Sequence, residues 1–94
     1  SKMKFFTEVA LPEDSELLGR AIDEVDIFKR GNVRVVDVLR GDASLRRDLA
    51  SVRLQAGDRV VLRTPMSEIL GLQSSKQVRM VDKLSSVQTE TVEV

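Results

Sequence analysis

Three short aliphatic runs, Phe5–Leu11, Val33–Arg40 and Arg59–Thr64, constrain the fold of this chain more than any other feature. In the first, Thr7, Val9 and Leu11 share one face and Glu8 and Ala10 the other, the alternation of a half-buried strand. Pro12 closes it, because proline has no N–H to give to a ladder. In the third, Val60 and Leu62 face one way and Arg59 and Arg63 the other, with Val61 the one misfit. The middle run is apolar on both sides at Val33, Val35, Val36, Val38 and Leu39. It reads as a central strand, or as one whose second face is covered by something else. Gly31-Asn32, Gly41-Asp42 and Gln55–Asp58 supply the turns, and Val52–Leu54 reads as a further short strand.

Two short helices accompany these runs, one between the first two and one after the third. Leu18, Ile22 and Val25 fall at i, i+4 and i+7, widened by Leu17 and Ala21, which predicts a helix over Leu18–Val25. Gly19 weakens its first turn by roughly 1 kcal/mol relative to alanine. Thr64-Pro65 opens the second helix, with threonine as cap, proline at the first helical position and Glu68 in the first turn. Met66, Ile69 and Leu70 form its apolar side. Val78–Val81 either adds a strand or extends a helix, and Ser85–Val94 reads as a linker or an unpaired strand. The expected architecture is α+β: a small, mostly antiparallel sheet of four to five strands with two short helices.

A chain of 94 residues has room for one core. It folds with a thin margin, so burial against a partner helps it. Its charges balance, 15 basic against 15 acidic, which argues against a nucleic-acid partner, whose phosphates call for a basic excess. With no cysteine and no histidine, the chain lacks thiolate nucleophiles and metal sites, and the commonest general base. It is therefore read as non-catalytic, with no cofactor. No run approaches the roughly 18 apolar residues of a membrane span.

No phosphate loop or dinucleotide fingerprint is present. Asp23, Glu24 and Asp26 form either a solvated helix end or a cation site. Arg46-Arg47 is either a solvated loop or an anion grip. Phe5 and Phe6 either pack the first strand or present a partner surface.

Two segments carry a family resemblance. One is Glu8-Val9-Ala10-Leu11-Pro12-Glu13-Asp14-Ser15-Glu16-Leu17-Leu18-Gly19-Arg20, and the other is Leu54-Gln55-Ala56-Gly57-Asp58-Arg59-Val60-Val61-Leu62. Val35–Gly41 lies between them. In this order and spacing they resemble the TrkA-C domain, also called RCK-C, over about Glu8 to Leu72. Glu16 stands where many members have proline, and Asp42–Val52 is unusually charged for the family. Residues 5–74 are read as the domain, 1–4 as linker and 75–94 as a C-terminal extension. Thr91–Val94 echoes Thr7–Val9, which suggests a second copy further along the parent chain.

The resemblance implies a regulatory, ligand-sensing domain on the cytoplasmic side of the cell membrane, attached to a potassium or other cation transporter or to a sodium-coupled anion symporter. It implies a homodimer whose cleft takes a small anionic or nucleotide ligand, cyclic di-AMP being one known in the family. Ile27, Lys29, Arg30, Asn32, Val33 and Arg34 would line that cleft, with the three basic residues suited to a phosphate. The alternatives are an ordinary solvated loop and a structural dimerisation module without a ligand.

Overall fold

The computed structural model describes residues 2–81 and 90–92. Its strands are β1 (Lys2–Ala10), β2 (Arg34–Arg40), β3 (Ala43–Ser44), β4 (Arg59–Thr64), β5 (Arg79–Met80) and β6 (Glu90–Val92), with one α-helix, α1 (Ile69–Ser74). They form an antiparallel sheet in the order β3-β2-β4-β1-β5, with β6 also paired to β1. The α+β architecture is as expected from the sequence.

Register explains how the aliphatic runs are used. Val9 lies opposite Val60 and Thr7 opposite Leu62 in the β1–β4 ladder, while Val38 and Val35 meet the same two β4 residues from β2. These side chains form the inner face. Ile22, Val25, Phe28, Leu54, Leu72 and Val78 close over it. The middle run does not stay regular. A bulge between Val35 and Asp37 shifts its register, leaving Val38 fully buried and Val36 exposed at 44%. The strand is also not central, since its outer neighbour β3 pairs only with Leu39 and Arg40.

The helix expected over Leu18–Val25 does not form. Two single-turn 3₁₀ segments, Ile22–Glu24 and Asp26–Phe28, take its place. The cause is competition for the backbone. Gly19 N–H donates to Leu54 C=O, Leu54 N–H to Arg20 C=O and Ile22 N–H to Val52 C=O. Gly19 itself sits at φ +85°, which breaks a right-handed helix and suits glycine. The strand expected over Val52–Leu54 reduces to a single bridge between Ala21 and Arg53.

The second helix is shorter than expected. Thr64 ends β4 with its side chain buried, and its hydroxyl donates to the Pro65 carbonyl rather than capping a helix. A 3₁₀ turn at Met66–Glu68 then leads into α1. Val78–Val81 resolves in favour of a strand: Arg79–Met80 pairs with Val9 and Ala10. Within the tail, Glu90–Val92 is paired rather than unpaired, opposite Lys2–Lys4. The rest of Ser85–Val94 lies outside the described residues.

Thr7 carries a local conflict. Its side chain is buried, and its hydroxyl has no hydrogen-bond partner among the described residues. A buried unsatisfied hydroxyl costs about 1–3 kcal/mol. Thr7→Val is expected to stabilise the domain by about 1 kcal/mol and raise Tm by roughly 4–8 °C. Thermal unfolding followed by circular dichroism measures this, and a lower Tm would mean that the hydroxyl is satisfied in solution.

Candidate functional site

The segment Ala21–Lys29 is a wall between two grooves. Its Ile22, Asp23, Phe28 and Lys29 line one, and its Glu24, Val25, Asp26 and Ile27 line the other. The first groove has a volume of about 300 Å³ and is completed by Val33, Arg34 and Val35 and by Leu49 and Ala50. Its lining is mostly aliphatic and aromatic, with Lys29 and Arg34 as its cations and Asp23 as its carboxylate. The second, of about 170 Å³, lies between the wall and the Ser75–Gln77 segment.

Of the residues that the family resemblance assigns to a cleft, Lys29, Val33 and Arg34 therefore share the first groove. Ile27 lies across the wall in the second. Arg30 and Asn32 line neither. Arg30 extends over α1, where its Nη1 would lie 3.9 Å from a Cβ built on Gly71. Asn32 is exposed in the turn, and its carbonyl accepts from Lys4 Nζ at 3.5 Å. Gly31, between them, has φ +57°, and Glu68 Oε2 would sit only 3.0 Å from an added Cβ. The turn therefore favours glycine for its left-handed backbone, while the flexible end of Glu68 can shift to admit a Cβ.

Lys29 Nζ donates to the Asp23 carbonyl at 2.6 Å. That bond pins the cation across the 3₁₀ wall while leaving two of its three protons for a ligand. The sequence reading missed Ile22, Asp23, Phe28, Val35, Leu49 and Ala50. The first three fell within or beside the expected helix, where their direction is different. Leu49 and Ala50 lie in the charged Asp42–Val52 stretch, whose leucines were the available signal.

That stretch is built on Asp37. The carboxylate accepts from Ser44 Oγ, from Val38 N–H at 2.7 Å and from Arg46 N–H at 3.1 Å. The Ser44 hydroxyl, aided by those amides and the Arg46 charge against a smaller burial penalty, holds the Asp37 carboxyl below its usual range. Arg46 is thereby tied into the hairpin, with φ +40° and Nε donating to Ser44 Oγ at 3.3 Å.

A second polar centre organises the far end of the sheet. Asp58 is 1% exposed and accepts from Arg40 Nε and Nη2, both at 2.9 Å, and from Gln55 N–H at 2.8 Å. Hydrogen bonding to Asp58 raises the Arg40 pKa against the opposing effect of burial. Arg40 Nη2 also donates to the Arg53 carbonyl, and Arg53 Nη1 to the Gly19 carbonyl, each at 2.9 Å. The Gly57-Asp58 turn is thus tied through two arginines to the base of the wall.

The model of the TrkA-C domain matches residues 6–76. The chain belongs to the TrkA-C domain family. An uncharacterized transporter of Synechocystis sp. is 30% identical over 76 residues, 81% of this chain, which spans 12% of that transporter's length. Among solved structures, the RCK_C domain dimer of S. agalactiae BusR in complex with c-di-AMP matches with a TM-score of 0.61 at 17% identity, over 74% of this chain and 86% of that one. S. agalactiae BusR in complex with its busAB-promoter DNA also matches at a TM-score of 0.61 and 17% identity, over 74% of this chain and 34% of that one. At this identity the structural likeness is one of fold. No helix among the described residues of this TrkA-C domain is long and apolar enough to cross a membrane.

Proposed function

We propose that this TrkA-C domain is a non-catalytic regulatory module on the cytoplasmic side of a membrane transporter, acting as a homodimer that senses a small anionic or nucleotide ligand. The observation that carries the reading is the first groove, where Lys29 and Arg34 flank an apolar floor containing Phe28, Ile22 and Leu49. Two cations against one carboxylate, Asp23, beside apolar walls suit a ligand with a phosphate and a flat hydrophobic part. The transporter relative and the c-di-AMP-bound dimer of a neighbour support the same class of role. The transported species is then a cation such as potassium, or an anion carried by sodium-coupled symport. The DNA in the second neighbour is a property of that whole protein, and the charge balance of this chain favours no nucleic-acid partner. We also keep the reading that the parent chain carries a second copy of the domain.

Sensing requires that the ligand bind one arrangement of two subunits better than another. Calorimetry with cyclic di-AMP, mononucleotides and inorganic phosphate tests the binding step. At a hundredfold excess over Kd, a true ligand is expected to stabilise the fold by about 2.7 kcal/mol, raising Tm by roughly 10 °C or more. Lys29→Ala and Arg34→Ala should each weaken binding about tenfold or more, the effect of a lost charged hydrogen bond. A dimer that melts at the same temperature with and without every probe would instead support a structural dimerisation module.

A further inference from the structure

We infer that the outer face of the sheet docks an acidic polypeptide segment, held by Arg59 and Arg79 beside the charge of Arg63. Register sets out this face in rows across β5, β1, β4 and β2. One row runs Arg79, Ala10, Arg59, Leu39. The next runs Glu8, Val61, Asp37, with Val81 beside it, since Val81 N–H donates to the Glu8 carbonyl. The third runs Phe6, Arg63, Arg34. The residues that close the core pack on the opposite face, with Val9, Val38 and Val60. On the outer face Phe6, Val61 and Leu39 are only half-buried, and Val81 is exposed. Phe6 therefore belongs to this surface, while Phe5, opposite Thr64, falls on the inner side.

Charge identifies the occupant. Arginines outnumber carboxylates in these rows, and both carboxylates are already met inside the domain. Glu8 pairs with Arg59 at 3.2 Å, and Asp37 holds Ser44, Val38 and Arg46. Arg79 is exposed and, among the described residues, has no side-chain hydrogen bond or ion pair. Arg59 uses two of its five N–H groups, on Glu8 and on the Gly41 carbonyl. Arg63 has a contact of its own within the domain and contributes its charge. Ala10 lies between Arg79 and Arg59, so its small side chain leaves room for a carboxylate between two forks. Arg63 stands four residues along β4 from Arg59, about 13 Å, with Val61 midway. An extended segment with carboxylates at its first and fifth positions and an apolar third residue matches this spacing, because its alternate side chains face the sheet. A second copy laid on this face does not match, since arginine would meet arginine. A bilayer does not, since Arg59 is held down by Glu8 and Gly41 and cannot reach out to headgroups. The chain spans 12% of its transporter relative, so a parent of that kind has polypeptide to supply the segment. That source rests on the function proposed above; the docking face does not.

The test is a nuclear magnetic resonance titration of the isotope-labelled chain with the capped peptide Glu-Ser-Val-Ser-Glu, against Lys-Ser-Val-Ser-Lys as the charge-reversed control. The acidic peptide is expected to bind with a Kd of about 1 mM. Its amide shifts should centre on Ala10, Arg59, Val61 and Arg79 and fade at roughly 0.5 M salt. Arg79→Glu is expected to weaken binding about fivefold or more, and Arg79→Lys by about twofold or less. Arg20→Glu, the same charge change at an exposed site on the wall side, should leave it within about twofold. No shifts on this face, equal shifts with the lysine peptide, or unchanged affinity in Arg79→Glu overturns the inference. Phosphatidylserine vesicles and a DNA duplex form the other arms. Binding to either without binding of the acidic peptide overturns it and reassigns the face. Ligand-induced melting is measured separately, so failure here leaves the sensing role standing.

Discussion

Asp58→Ala is expected to destabilise the domain by about 3 kcal/mol, lowering Tm by roughly 10–20 °C. The carboxylate is buried and holds three donors: both accessible nitrogens of the Arg40 fork and the Gln55 amide. Removing it leaves the amide without its partner and the guanidinium partly desolvated beside a void. Breaking a fully buried pair costs about 3–5 kcal/mol. The lower end applies because the Arg40 side chain is 34% exposed and water compensates part of the loss. A domain of this length has only about 5–14 kcal/mol to lose. Urea titration of Asp58→Ala beside the parent chain measures the difference. A shift under about 1 kcal/mol would show that the network is decorative and that the turn is held by its backbone bonds alone.

Leu62→Ala is expected to cost about 3 kcal/mol or slightly more, within the range of about 2–5 seen for leucine truncation in cores. Leu62 is fully buried at the centre of β4 and faces Thr7 on one side and Val35 on the other. Strand backbones fixed by two ladders cannot collapse readily into the space left behind, so the cavity persists. Chemical denaturation reads the loss. A value under about 1.5 kcal/mol would mean that the wall segment moves in to fill the gap.

Much of this fold was legible in period-2 alternation, because all of β4 pairs with Phe5–Ala10 of β1 and the apolar face of each is buried in register. The bulge was not legible. In a run as uniformly aliphatic as Val33–Leu39, nothing local distinguishes the residue that is extruded from those that stay. The missing helix had a different cause. Leu18, Ile22 and Val25 do have helical spacing, but 52–54 claims the hydrogen-bonding groups a helix would need, and propensity yields to that pairing. The family resemblance, rather than any residue pattern, pointed to the 27–34 region. The structure divides those residues among two grooves, α1 and an exposed turn according to the 3₁₀ geometry of the wall. Asp58 was read only as the end of a turn, since burial of a carboxylate depends on Arg40, eighteen positions away.

The wall that separates the grooves carries a further implication. Near its base, Gly19, Arg20 and Ile22 share backbone hydrogen bonds with Val52 and Leu54, thirty to thirty-five positions later in the chain. During synthesis or refolding the base of the wall is therefore not fixed until Val52–Leu54 arrives, so the groove is completed only once that segment is in place. Under the proposed sensing role, a copy truncated before Val52–Leu54 would not respond to a ligand.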